Sequence, residues 1–169
     1  MAKYPELNYC PQCGEALQDR EAHGRPRRYC PSCNRVIFHD PKVAAGAVVE
    51  QAGRVLLVQQ SHGPKKDRWS IPAGFVEHDE PPALAAIREC REETGLEIEL
   101  TGLLGIMSGG ELPGEASFLI VYRGQITGGR LKPGDDAQRA AFFHRDRLPP
   151  LAYAPTRKAL ERWRKRQFP

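Results

Sequence analysis

Glu89, Glu92 and Glu93 crowd into one short stretch, GFVEHDEPPALAAIRECREETGL, which runs from Gly74 to Leu96. Carboxylates at i and i+4 on a helix repel, at a cost of roughly 0.2–0.5 kcal/mol per pair. An acidic helix face is most often only a solvated surface, but this stretch holds more. Asp79-Glu80-Pro81-Pro82 is a helix start, with acids near the positive end and proline in the first turn, and Gly95 is a stop. At 100° per residue, Ala83, Ala86, Ile87, Cys90 and Thr94 share one arc, which Leu84 extends. The three glutamates fall in another arc, roughly opposite, with the small Ala85 among them. A turn at Gly74 could bring its carbonyl close. Three carboxylates and a backbone carbonyl suit a hard divalent ion such as Mg²⁺ or Mn²⁺. Arg88 beside them reads as the group that holds the carboxylates in orientation.

Four of the five cysteines form a second constellation. Cys10-Pro-Gln-Cys13 and Cys30-Pro-Ser-Cys33 are two tight knuckles separated by sixteen residues. Each aims two thiolates at one point, and two knuckles complete a tetrahedral cage for one structural Zn²⁺. Gly14 and Asn34, directly after the second cysteine of each pair, tolerate the turn such loops need. Four thiolates leave no open coordination position, so this zinc is expected to be structural. Two redox pairs or an iron–sulfur site fit the spacing less well, and His23 and His39 are not needed as ligands. RPRR, from Arg25 to Arg28, offers positive charge for nucleic acid, but residues 1–40 hold six basic against five acidic side chains. Phosphate-backbone binding wants a larger excess, so a scaffold or dimer-contact role is favoured.

The elements that must position these residues divide near Pro41. Residues 1–40 are poor in aliphatic side chains and could not bury a core without a metal or cross-links. They read as a small zinc ribbon, and 41–169 as the main domain. Strands are expected at Val43–Glu50 and Arg54–Gln59 around an Ala52-Gly53 turn, then a loop through HGPKKDRWSIPAGF and the acidic helix. Further strands are expected near Glu97–Met107, Ser117–Gln125 and Arg139–His144, with a last helix over about Thr156–Arg166. Leu160 and Trp163 would dock that helix, leaving its basic residues in water.

The chain holds 169 residues, enough for one domain with a small appendage, and its net charge of +4 is unevenly spread. Residues 41–143 carry 11 basic and 14 acidic side chains, whereas 144–169 carry 8 and 2. The basic tail has no interleaved aromatic row of the kind single-stranded nucleic acid prefers. No apolar run approaches the ~18 residues that would span a bilayer, and the N-terminus has no apolar signal stretch. A cytoplasmic protein without membrane association is the expectation.

Gly74, Glu80 and Arg88-Glu89-Cys90-Arg91-Glu92-Glu93-Thr94-Gly95-Leu96 resemble the Nudix box, GX5EX7REUXEEXGU, at every fixed position. The departure is Cys90, which stands where an aliphatic residue is usual and reads as core filler. With its cysteine pairs, the chain resembles Nudix hydrolases that carry an N-terminal zinc ribbon. The resemblance implies an α/β/α sandwich with a mixed sheet and a pyrophosphohydrolase that splits a nucleoside diphosphate linked to another group. It implies divalent ions on Glu89, Glu92, Glu93 and the Gly74 carbonyl, with Glu80 and Arg88 in support. It leaves the general base open between Glu93 and an acid on a later loop: Glu111, Glu115, Asp135 or Asp136. KPGDDAQ could be that loop or a plain turn. The SQPWPFPxS-like motif of NADH pyrophosphatases is absent after the box, which counts against a specialised NADH enzyme, and the ribbon's layout with the direct NRVIFHDPKVAAGAVV junction resembles the ADP-ribose and FAD pyrophosphatase group. NAD(H), capped RNA or nucleoside triphosphates are the other substrates, and a non-catalytic nucleotide sensor is the rival class. The partner expected is a small nucleotide, with nucleic acid disfavoured and a homodimer in keeping with the family.

Overall fold

The computed structural model of the chain describes residues 7–109, 117–135 and 137–165. It divides after Pro41 into two compact units. In the first, β1 (Gln18–Ala22), β2 (Arg25–Cys30) and β3 (Arg35–Ile37) form an antiparallel sheet in that order. Aliphatic residues are scarce here, so the core is Leu17 and Ile37 packed with Cys10 and Cys30. Gly14 and Asn34 take left-handed φ values of 76° and 51°, which curls each cysteine loop back on its sulfurs.

The second unit holds β4 (Val43–Gln51), β5 (Arg54–Gln60), β6 (Trp69–Ser70), β7 (Ala73–Phe75), α1 (Pro82–Thr94), β8 (Leu96–Ser108), β9 (Phe118–Gly129), β10 (Ala137–His144) and α2 (Ala154–Arg164). Its seven-stranded sheet runs β10-β5-β4-β9-β8, with β6 against β5 and β7 against β4. The β4–β9 pair is parallel and the others antiparallel, so the sheet is mixed. Ala52 and Gly53 make the β4–β5 turn, with φ of 49° and 74°, as hairpin geometry requires. The two strands pair only beside that turn, at Glu50↔Val55 and Gln51↔Arg54. Beyond it they part, and each takes a new neighbour from the segment expected to be loop. That segment supplies β6 and β7, strands too short to show a period.

Successive residues of a strand face opposite ways, and β4 uses both sides. Ala44 and Val48 join Val55, Leu57, Leu104 and Val121 in a core closed by Ala159, Leu160 and Trp163 of α2. Ala47 and Val49 join Leu56, Leu96 and Ile98 in a second core with Cys90 of α1, and Ala45 packs on Ala85 and Ala86. Helices therefore cover both faces of the mixed sheet, the α/β/α sandwich expected. Trp163 Nε1 donates to Glu50 Oε2 at 2.6 Å, which fixes α2 to β4. No helix among the described residues is long and apolar enough to cross a membrane.

Candidate active site

The site begins at the seam between β7 and α1. β7 pairs with β4 through Ala44↔Phe75, Ala45↔Gly74 and Gly46↔Ala73. The approach there is tight: a Cβ on Gly46 would lie 2.5 Å from both the Ala73 Cβ and the Pro72 carbonyl oxygen. α1 starts with Pro82 at its first turn, where the missing N–H leaves no donor stranded, and stops at Gly95, φ 68°, whose N–H donates to the Arg91 carbonyl. These two elements set the box acids beside the β7 backbone.

Arg88 is the hub. Its Nε and Nη2 donate to the two Glu80 oxygens at 3.2 and 2.7 Å, and Nη2 also donates to the Phe75 carbonyl at 3.0 Å. Its Nη1 donates to Glu89 Oε1 at 2.7 Å and Glu92 Oε2 at 2.9 Å. The five bonds match the five N–H donors of a guanidinium, so Arg88 has no spare donor. Glu80 Oε1 also accepts from the Glu77 N–H at 3.0 Å. Arg88, then the Glu77 N–H, hold the Glu80 carboxyl below its usual range. Glu80, ahead of Glu89 and Glu92, raises the Arg88 guanidinium above its own.

Glu89 and Glu93 are more buried than an arc roughly opposite the apolar one implies. Burial raises the Glu89 carboxyl, Arg88 opposes that shift, and the charges of Glu92 and Asp135 add to it. Glu93 is only 5% exposed, and its Oε2 accepts from the Ala73 N–H at 2.9 Å. At 100° per residue it lies next to Ala86 on the wheel rather than across from it, and its bond to the Ala73 N–H holds that edge of α1 against β7. Leu84, expected to extend the apolar arc, is instead 56% exposed. Cys90 is fully buried in the core, where burial pushes its thiol up to about 11. That suits a filler rather than a nucleophile.

The KPGDDAQ loop closes over the C-terminus of α1. The N–H groups of Lys132 and Gly134 donate to the Thr94 and Glu93 carbonyls at 2.9 and 3.2 Å, and so satisfy carbonyls a helix end leaves open. Gly134 is required there, because a Cβ would lie 2.5 Å from the Glu92 carbonyl oxygen. Asp135 follows with φ 46°, near enough for its charge to act on Glu89. The other loop candidates, Glu111, Glu115 and Asp136, lie outside the described residues.

A divalent cation suits this donor set on two observations. Glu80, Glu89 and Glu92 surround a single cation, leaving excess negative charge with Glu93 and Asp135 close by. A Cβ on Gly74 would lie 2.1–2.4 Å from the Glu89 carboxylate atoms, so only glycine lets that carboxylate rest on the β7 backbone. The acids are nonetheless spread around Arg88. Among the described residues, the group whose ligand atoms all lie within 4.8 Å of one another is the cysteine set.

That set is the second site. Cys10 Sγ is 3.9 Å from Cys33 Sγ, and Cys13 Sγ is 3.6 Å from Cys30 Sγ. All four are thiols rather than disulfides. The Cys13 and Gln12 N–H groups lower the Cys10 thiol to about 7, while the Cys13 side chain, then burial, push Cys33 up to about 12. Thiols this close oppose one another's ionisation, and a bound cation is what lets all four become thiolates together. The cluster is that of a zinc ribbon.

The structure brings Glu89, Glu92, Arg88 and Gly74 together, and likewise the four cysteines, as the sequence expected. The Ala73 N–H and the Phe75 carbonyl that join them were not expected, because backbone partners leave no mark on residue type. The NUDIX domain model matches residues 40–164. An ADP-ribose pyrophosphatase of Methanocaldococcus jannaschii is 38% identical over 120 residues, 70% of each chain. The NAD-capped RNA hydrolase NudC of Stutzerimonas stutzeri is 28% identical over 157 residues, 92% of this chain but only 53% of that protein. The crystal structure of a NUDIX hydrolase from Nitrosomonas europaea superposes with a TM-score of 0.84 at 27% identity, covering 95% of this chain and 92% of the other. With the box acids, the sandwich and the cysteine cluster in place, the chain belongs to the NUDIX domain family and is a Nudix hydrolase.

Proposed function

We propose that the protein hydrolyses the diphosphate of ADP-ribose or a closely related dinucleotide such as FAD. Water adds to one phosphorus, the bridging P–O bond breaks, and a nucleoside monophosphate and a phosphorylated second half leave. The observation that carries the reading is the gathering of Glu80, Glu89 and Glu92 on Arg88, beside Glu93 and Gly74. Similarity to the archaeal ADP-ribose pyrophosphatase supports the substrate class.

Glu89, Glu92, Glu93 and the Gly74 carbonyl would hold Mg²⁺ or Mn²⁺. Such ions supply charge neutralisation on phosphoryl oxygens and a water acidic enough to attack near neutral pH. Arg88 keeps Glu89 and Glu92 pointed inward, and Glu80 holds Arg88. The Ala73 N–H fixes one oxygen of Glu93. Glu93 or Asp135 accepts the proton of the attacking water. In the N-terminal unit, Cys10, Cys13, Cys30 and Cys33 would hold Zn²⁺ and replace the missing aliphatic core.

The test is a panel of ADP-ribose, FAD, NADH and NAD-capped RNA, with Mg²⁺ or Mn²⁺ and separation of the products. Cleavage of ADP-ribose to AMP and ribose 5-phosphate is expected. No diphosphate cleavage on any of them would defeat the proposal. NAD-capped RNA is the second reading. The 157-residue similarity to NudC is longer than residues 40–169, so it reaches into the cysteine unit.

Two outcomes follow from the roles assigned. Arg88→Lys keeps the charge but replaces a planar five-donor fork with a point charge. Groups that orient metal ligands typically matter by about 10–100-fold, so Mn²⁺ affinity should fall by that factor in a calorimetric titration. Asp135→Asn should lower kcat by roughly 10²-fold, the low end for a proton acceptor, with Mn²⁺ affinity unchanged. Unaltered kcat would make the loop a plain turn and leave Glu93 as the base.

A further inference from the structure

Summed charge hides how the first unit distributes it. β1 and β2 pair in the register Gln18↔Tyr29, Asp19↔Arg28, Arg20↔Arg27, Glu21↔Pro26 and Ala22↔Arg25. Side chains alternate along each strand, so Arg20, Arg25, Arg27 and Tyr29 share one face. Val36 pairs with Tyr29, and Phe38, just past β3, sets its ring beside the Arg27 guanidinium of the same side. Asp19 and Glu21 fall on the other face, with Arg28, Cys30 and Ile37. There Arg28 is consumed: it donates to Asp19 Oδ1 at 2.8 Å and to the Leu7 and Leu17 carbonyls at 2.9 and 3.0 Å. One face thus seals the cysteine core and holds both strand acids. The other carries three arginines, two aromatic rings and no acid from these strands.

The arginines and rings are interleaved. The Arg20 guanidinium lies 4.5 Å from the centre of the Tyr29 ring, and that of Arg27 lies 4.7 Å from the Phe38 ring. Tyr29 is pinned by its hydroxyl, which donates to Asn34 Oδ1 at 2.6 Å, while Phe38 is 50% exposed. A guanidinium stacked by its flat face keeps its in-plane N–H donors for phosphate oxygens. Arg27 directs its Nε to the Ala22 carbonyl at 3.3 Å, so that bond does not use its two terminal nitrogens. Rings that accept a flat cation also accept a flat base, and a sheet of spaced arginines tracks a backbone.

We infer that this face, built on Arg20, Arg25, Arg27, Tyr29 and Phe38, binds single-stranded nucleic acid by stacking bases and neutralising phosphates. A duplex, its bases already stacked, cannot use the rings. The inference needs no catalytic step, so it stands or falls separately from the diphosphate reading.

Fluorescence anisotropy of the full, zinc-loaded protein with a labelled, unstructured RNA dodecamer tests it, with the matching duplex as competitor. The single strand should bind at least about tenfold more tightly than the duplex. Phe38→Ala should weaken binding by roughly tenfold, within the range measured for single stacked bases. The pair Arg20→Ala and Arg27→Ala should reduce the slope of log K against log salt by about 1.4, two phosphate contacts at ~0.7 each for a single strand. Arg20→Lys with Arg27→Lys should restore the slope but not the affinity. Glu21→Gln, on the opposite face, should change neither. Zinc content reports folding, and the half-exposed Phe38 and the lysine pair tolerate replacement. No binding, equal binding of the duplex, or wild-type affinity in the Phe38 and arginine variants would overturn the inference.

Discussion

Glu93→Gln is expected to lower kcat/KM for ADP-ribose on the order of 10⁴-fold while the protein stays folded. In the proposed reading this carboxylate serves the divalent ions and is a candidate for the water's proton. Losing its charge removes contributions of several kcal/mol. The burial of Glu93 would make many substitutions structural. Gln keeps the oxygen that accepts the Ala73 N–H and changes volume little. Thermal unfolding should therefore shift by no more than a few degrees. Activity within tenfold of wild type would remove Glu93 from the site.

Removal of zinc is expected to unfold the first unit. Its core is Leu17, Ile37, Cys10 and Cys30 with Cys33 packed against them, too little apolar surface to offset the entropy of ordering ~35 residues. Structural zinc in peptides of this kind contributes about 10–16 kcal/mol near neutral pH, so Cys13→Ser should behave like chelation. Amide exchange in β1–β3 should become fast in both cases. Slow exchange should persist in β4 and β5, whose Val49, Val55, Leu56 and Leu57 are fully buried. Protection of β1–β3 in a metal-free sample would show that the thiols alone hold the sheet.

Much of this architecture was legible because local chemistry and global packing agree. Pro82 and Gly95 bound α1, and Ala52-Gly53 turn β4 into β5. The acids at fixed spacing mark the candidate site in the sequence itself. What escaped depends on distant partners. β7 exists because β4 parts from β5 and needs a neighbour. Glu93 is buried because β7 lies against its edge of α1, which a wheel drawn for an isolated helix does not contain. The position of Asp135 follows from the Gly134 N–H reaching the Glu93 carbonyl, forty-one residues along the chain. The N-terminal unit teaches a related lesson. A near-zero charge sum is compatible with one strongly basic face when strand alternation sorts the signs.

Anomalous scattering from crystals soaked in Mn²⁺ tests the central claim most directly. The account predicts a manganese peak at the carboxylates of Glu89, Glu92 and Glu93 beside the Gly74 carbonyl. No peak at those side chains, in crystals whose cysteine cluster still shows its zinc signal, would contradict it.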